Sequence, residues 1–162
     1  MTTKLWGGRG YEDTLRSIDS SIRALDVGAI DLLLIHEPTG NFNEIYRAME
    51  TEYRAGKLRA IGVSNFLETN FERLIRTAEI APAVDQLETH VFRQQRGMRS
   101  VLAKYGVAHE AWSPLAAGQN GFFTNPILKS IADAHGKSTA QTAEEMDQLG
   151  ALDEGRSLFN WW

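Results

Sequence analysis

The 162-residue chain contains no cysteine, which excludes disulfide bonds, thiolate catalysis and cysteine-ligated metals and fits a reducing compartment. No apolar run approaches the roughly 18 residues that a membrane helix needs, and the first residues, MTTKLWGGRG, lack the apolar region of a signal peptide. A basic excess is also missing, because 17 Lys and Arg face 21 Asp and Glu, and this argues against nucleic-acid binding. We therefore expect a cytoplasmic protein with no membrane or nucleic-acid partner.

The sequence does contain a repeated pattern, in which a short apolar run ends in a polar residue and a helical stretch follows. Apolar runs without alternation are typical of parallel strands that are buried on both faces. From the second run onward the polar ends lie about 25 residues apart, which is the length of a strand plus a crossover helix. The pattern predicts an α/β fold with one parallel sheet, whose strands cover residues 2–6, 30–35, 58–63, 83–88 and 107–112.

The stretches between these runs have helical periodicity. Apolar residues at helical spacing predict amphipathic helices near residues 15–25, 43–55, 71–78 and 98–105. Beyond residue 113 the pattern changes, and no sixth strand of comparable quality follows. Asn125 can cap a helix that has Pro126 at its first position and that ends near Gly136. A further helix is predicted to begin at Ser138 and to run to Leu149.

Polar side chains stand in or at the ends of the predicted strands, where parallel α/β proteins build their sites. Each has an ordinary structural interpretation: a lysine reaching solvent, a histidine satisfied at the rim, a Ser-Asn pair that ends a strand, or an indole filling the core. A glutamine inside an apolar strand needs hydrogen-bond partners at both ends of its amide. Together these polar and aromatic side chains suit a flat, amide-bearing, anionic ligand such as a nicotinamide nucleotide. The residues are Lys4, His36, Ser64, Asn65, Gln86 and Trp112.

Glu88 and His90 form a second candidate cluster. They alternate on one strand face, as two ligands of a metal site would. No third ligand accompanies them in the sequence, so we predict no metal at this position.

Several segments of the sequence resemble the aldo-keto reductase family, and they follow one another in the family's order from Thr2 to Gln141. The resemblance implies a (β/α)8 barrel that reduces carbonyls with NADPH, without metal or flavin. It also implies a catalytic tetrad of Asp, Tyr, Lys and His. The segments are TTKLW, GYEDTLRSIDSSIRAL, IDLLLIHEP, GKLRAIGVSNF, PAVDQLETH, AWSPLAAG and HGKSTAQ.

The resemblance assigns roles to individual residues. Lys4 matches the tetrad lysine and His36 the tetrad histidine. The remaining matches concern the ligands: Ser64, Asn65 and Gln86 hold the nicotinamide carboxamide, Trp112 stacks on the nicotinamide ring, Ser113 and Leu115 meet the pyrophosphate, and Trp6 is a substrate-pocket aromatic.

The comparison with the family also indicates what this sequence lacks. In the family two strands precede the one that TTKLW matches, and they supply the catalytic Asp and Tyr. We expect neither to have a counterpart here, because Met1 comes directly before that strand, and Tyr11 matches a noncatalytic tyrosine instead. After Gln141 the chain resembles the family's late tail, which indicates an internal excision near residues 141–142 that removes the last strand and the clamp on the 2′-phosphate. Glu37 stands where Trp is common, and Asp85 where Asn is common.

We therefore expect one partial barrel domain over residues 1–162, an incomplete (β/α)8 barrel of about five parallel strands. Five strands cannot close this barrel, so the edges near 2–6 and 107–112 favour pairing with another chain, including a second copy. The predicted function is NAD(P)H-dependent reduction of aldehydes or ketones to alcohols. We expect this chain alone to have strongly impaired activity and weakened NADPH affinity. The alternatives are a noncatalytic half-barrel module, completed by self-association or by a partner, and a plain α/β domain without activity.

Overall fold

The computed structural model describes residues 1–8 and 10–142, and within them five strands alternate with helices. Each observed strand overlaps one predicted apolar run, and most strands are shorter than the run. The elements are β1 (Thr2–Leu5), α1 (Tyr11–Leu25), β2 (Leu32–Ile35), α2 (Phe42–Arg54), β3 (Ile61–Ser64), α3 (Glu68–Ile75), β4 (Val84–Glu88), α4 (Arg96–Lys104), β5 (Ala108–Trp112) and α5 (Pro126–Ala134).

The five strands form one sheet in the order β1-β2-β3-β4-β5. This sequential order follows from right-handed βα units, each of which places its next strand beside the previous one. β1 with β2, β2 with β3, and β3 with β4 pair in parallel, and their register aligns Lys4 with Leu34, Leu34 with Gly62, and Ser64 with Gln86. The predicted α/β fold with five parallel strands is confirmed.

Two compact units contain the described residues. The first consists of residues 1–86 and 97–110. Its core contains the buried side chains of β2 and β3 that face the helices, together with the apolar faces of α1 and α2, which pack against each other. Examples of these fully buried core residues are Ile18, Leu33, Ile35, Ile45 and Val63.

The second unit consists of residues 87–96 and 111–142 within the described part of the chain. Its buried residues are Val91, Phe92, Ala116, Phe122 and Leu128, and they form one apolar cluster.

Two helices had been predicted for this unit. Asn125 caps α5 as predicted, because its side chain accepts hydrogen bonds from the backbone N–H groups of Ile127 (3.0 Å) and Leu128 (3.2 Å). Residues 138–142 form a turn in which the Ser138 backbone N–H donates to the Gln141 side chain. The rest of the helix predicted up to Leu149 lies outside the described residues.

No helix among the described residues is long and apolar enough to span a membrane.

Candidate functional site

The carboxyl ends of β1, β2 and β3 lie side by side in the first unit, with Gln86 of β4 next in the row. Backbone hydrogen bonds hold this row in register, since the His36 N–H donates to the Leu5 carbonyl (2.8 Å) and the Asn65 N–H to the Gln86 carbonyl (3.0 Å). Side chains that follow neighbouring strands are therefore brought to one rim of the sheet. The predicted site residues Lys4, His36, Ser64, Asn65 and Gln86 all lie there.

Gln86 is hydrogen-bonded at both ends of its amide, as the sequence predicted. Its Oε1 accepts from Lys4 Nζ, and its Nε2 donates to Glu110 Oε1 on β5 (2.7 Å). Burial lowers the pKa of Lys4, and the negative charges of Glu110 and Glu37 oppose this shift. The amide orientation of Gln86 is thus fixed between a cation and a carboxylate.

Asn65 joins the end of β3 to the end of β2. Its backbone has φ 63°, a left-handed conformation that asparagine tolerates better than most residues. Its side-chain Nδ2 donates to Glu37 Oε1 (2.7 Å) and makes a longer contact with the His36 carbonyl (3.4 Å). The Ser-Asn pair therefore does more than end a strand.

Glu37 is a site residue that sequence reasoning noticed only as a departure from the family. Its side chain is buried, and burial raises its pKa to about 7, while the hydrogen bond from Asn65 and the Lys4 charge act in the opposite direction. Glu110 was missed altogether. The signal for Glu37 was its place next to His36, and that for Glu110 was a charged residue in a strand two positions before Trp112.

His36 is half-buried, and the pKa of its imidazole is lowered by burial and by the charge of Lys4. The ring is therefore neutral at pH 7. The Trp6 ring lies beside it, with 4.3 Å between the ring centroids, although Trp6 itself is 64% exposed. Trp6, Lys4 and Leu5 line one side of a groove of about 480 Å³, and Arg16 and neighbouring residues of α1 line the other.

Ser64 provides a test of whether a nicotinamide fits. Its side chain is fully buried on the same sheet face as Gln86, and its Oγ has no hydrogen-bond partner among the described residues. A buried hydroxyl without a partner is costly, so such groups usually serve a ligand or a water. The carboxamide of a nicotinamide is one ligand that would satisfy the Ser64 hydroxyl beside Asn65 and Gln86.

The remaining predicted cofactor residues belong to the second unit. The Trp112 carbonyl accepts from the Thr89 backbone N–H (3.2 Å). Ser113 has φ 55°, and its carbonyl accepts from the Ala116 N–H (2.8 Å) in a tight turn. Leu115 packs against the apolar cluster of this unit. Their contacts with a cofactor stay predictions.

Glu88 and His90 contact each other directly. The Phe92 backbone N–H donates to His90 Nδ1 (3.3 Å), so Nε2 carries the ring proton and donates to Glu88 Oε1 (3.0 Å). Among the residues that the structure describes, no group of three His, Asp or Glu side chains is arranged to hold a metal ion. The buried polar atoms of this pair are thus engaged by each other, by the Phe92 N–H and by Arg93.

Comparison with known proteins identifies the family of the chain. The sequence model of the Aldo/keto reductase family matches residues 2–155, and the chain therefore belongs to this family.

Individual relatives show how much of the family's length is represented. The chain is 41% identical over 161 residues to a glyoxal reductase of Bacillus subtilis, covering 98% of this chain and 58% of that protein. The crystal structure of MGS-M4, an aldo-keto reductase from a Medee basin deep-sea metagenome library, matches with a TM-score of 0.92 and 32% identity, covering 99% of this chain and 73% of that one. A Gox0644 variant crystallised with NADPH matches with a TM-score of 0.87 and 28% identity, covering 96% and 71%. The chain spans about half the length of the curated relatives it matches.

Proposed function

We propose that this site holds the nicotinamide end of NADPH, and that the chain is part of an oxidoreductase that reduces aldehyde or ketone carbonyls to alcohols. The observation that carries the proposal is the buried, unpaired Ser64 hydroxyl next to the fixed amides of Asn65 and Gln86. Family membership supports it, as does the NADPH complex of a solved relative.

The proposed roles follow from the geometry of each side chain. When bound, the cofactor supplies a hydride to the carbonyl carbon. Ser64, Asn65 and Gln86 bind the carboxamide, and the neutral His36 ring can donate a hydrogen bond to the carbonyl oxygen. Ligand contacts are also proposed from the family match, with Trp112 stacking on the ring, Ser113 and Leu115 near the phosphates, and Trp6 near the substrate.

Lys4 lies in this site, and the sequence predicts no catalytic tyrosine beside it. In the family the matching lysine serves a tyrosine that protonates the substrate oxygen, and this sequence offers no counterpart of that tyrosine. Lys4 donates to Gln86 instead. Loss of a general acid typically costs about 10²- to 10⁴-fold in rate, so we expect the isolated chain to be strongly impaired. The carbonyl substrate itself is not identified.

Calorimetric titration of the chain with NADPH tests the proposal. Ser64→Ala should weaken binding by about tenfold, because the carboxamide loses one buried hydrogen bond. Folding stability should stay the same or rise slightly, since the removed hydroxyl has no partner in the free chain. Thr77→Ala, which removes an exposed hydroxyl just beyond α3, is the matched control and should bind normally. Absence of NADPH binding to the unaltered chain would overturn the proposal.

A noncatalytic half-barrel module is the second candidate function. The sheet order places β1 and β5 at its two ends, and a strand at the end of a sheet exposes unpaired backbone groups that another chain can use. A homo-oligomer completed through these edges would show a mass that rises with concentration in sedimentation velocity. A monomer at every concentration, with slowly exchanging amides along β1 and β5, would rule this candidate out.

A further inference from the structure

The charges around the proposed nicotinamide position do not balance. Lys4 is the cation that the structure brings to this rim, and it interacts with two carboxylates, Glu37 and Glu110. Glu110 is exposed, so water screens its charge, whereas Glu37 is 7% exposed. His36 adds no charge at pH 7, because burial and Lys4 lower the pKa of its ring. An ionised Glu37 is therefore a negative charge that water screens little, and Lys4, which also interacts with Glu110, offsets part of it.

Glu37 is the carboxylate placed to act on a bound ring. Its Oε1 lies 2.7 Å from Nδ2 of Asn65, one of the residues proposed to bind the carboxamide. The carboxamide is attached directly to the ring, so the Asn65 side-chain amide and the carboxamide would be the groups that separate Glu37 from the ring. The Lys4 charge from β1 acts directly on Glu37, His36 is its neighbour in the sequence, and Glu110 from β5 acts on Lys4.

We propose that Glu37 makes this site select the oxidised, cationic nicotinamide over the reduced, neutral one. The inference rests on the proposed function and deepens it, because it concerns which form of the cofactor the same site prefers. The two forms have the same phosphates and sugars and differ at the ring, which carries a positive charge when oxidised. An anionic side chain in a partly buried site attracts that charge, and it gains nothing from the neutral ring.

The selection depends on pH. Burial raises the pKa of Glu37 to about 7, so its carboxyl group is largely neutral near pH 6 and largely ionised near pH 8. Preference for the oxidised cofactor should therefore be small at the lower pH and larger at the higher one. Linkage is reciprocal, so binding of the oxidised form near pH 7 should release a proton from Glu37, and binding of the reduced form should release fewer.

The experiment compares NADP⁺ with NADPH by calorimetry, using the full chain at about pH 6 and about pH 8. The ratio of the two association constants should rise by about tenfold across this range, and it should stay constant in Glu37→Gln. The glutamine keeps an oxygen that can accept from Asn65, so it removes the charge with little change in shape. Titration of the 2′-phosphate affects both nucleotides equally and cancels in the ratio. Glu44→Gln, at a half-buried residue of α2 that pairs with Arg47, is the control and should behave like the unaltered chain.

A second measurement does not depend on the variant folding. Calorimetry of the unaltered chain at pH 7, in buffers with different ionisation enthalpies, counts the protons released on binding. More protons should be released with NADP⁺ than with NADPH. Equal proton release, or an affinity ratio that is independent of pH, would overturn the role of Glu37 while both nucleotides still bind. Failure of both nucleotides to bind would overturn this inference together with the proposed function.

Discussion

Asp85 on β4 is a carboxylic acid enclosed by the core of the first unit, and its side chain is fully buried. Burial raises its pKa to about 8, and the nearby Phe66 backbone N–H offsets only part of the shift. The folded chain therefore keeps the carboxyl group protonated at neutral pH, whereas the unfolded chain ionises it near pH 4. The folded state binds more protons than the unfolded state in this window, so Asp85 lowers stability as the pH rises from about 4 to about 8.

Asp85→Asn should remove this pH dependence, because the amide cannot ionise. Above pH 8 we expect the variant to exceed the unaltered chain in free energy of unfolding by about 2 to 5 kcal/mol, and near pH 4 the two should be similar. Urea unfolding at several pH values measures the difference. Asp133→Asn, on the exposed surface of α5, is the control. Parallel stability curves for Asp85→Asn and the unaltered chain would contradict the assignment of the raised pKa to Asp85.

Residue-level prediction from the sequence succeeded where the chemistry is local. A glutamine in an apolar strand must have two partners, and Gln86 has Lys4 and Glu110. It failed for Glu37, whose burial depends on the left-handed turn at Asn65 and on the adjacent positions of β2 and β3. Neither is visible in residue spacing, because both arise from tertiary packing.

At the scale of elements, β3 passes unusually close to its neighbours at Gly62. A Cβ atom at this position would lie 2.6 Å from the Val84 carbonyl oxygen and 2.8 Å from Leu34 Cδ2. The side-chain position is thus filled by β4 backbone and by a buried leucine of β2. The absence of a side chain lets the three strands pack at this point.

Gly62→Ala should destabilise the chain by about 1 to 3 kcal/mol, because the added methyl group forces the Val84 backbone or the Leu34 side chain to move. Gly28→Ala is the matched control, since a Cβ there would meet nothing within 4 Å. Thermal unfolding of both variants gives the comparison. Equal melting temperatures for the two variants would contradict the prediction, because they would mean that the sheet accommodates a methyl group at Gly62.

Element prediction was most accurate where two signals coincided. Asn125 followed by Pro126 identified the start of α5, because the capping side chain and the fixed backbone angle of proline act together. Apolar runs placed all five strands, but most runs extended beyond the strand, as at Trp6, which follows β1 and stands 64% exposed. Hydrophobicity marks burial, whereas the end of a strand depends on where backbone pairing stops.

At the scale of the whole molecule, the sequential strand order was predictable because every crossover joins neighbouring parallel strands. The number of catalytic groups was harder to predict, because the chain covers only 50% to 58% of the length of the first relatives. The five described strands and the residues that follow them carry the cation, the imidazole and the amides of the proposed site, and we expect no counterpart of the family's acid among them.

We expect the chain alone to oxidise NADPH with an aromatic aldehyde at least about 100-fold more slowly than a full-length relative assayed alongside, because the sequence predicts no counterpart of that acid. His36→Ala serves as the comparison. Turnover at a rate typical of the relative, lost in His36→Ala, would contradict this expectation and would mean that another group protonates the substrate.

The central claim is that the polar ends of β3 and β4 form one nicotinamide site, and NMR of the side-chain amides tests it most directly. On titration with nicotinamide mononucleotide, the amide resonances of Asn65 and Gln86 should shift together and saturate with one dissociation constant. Those of Gln119 and Asn125, which lie in the second unit, should stay in place. Unchanged Asn65 and Gln86 resonances at saturating nucleotide would contradict the account.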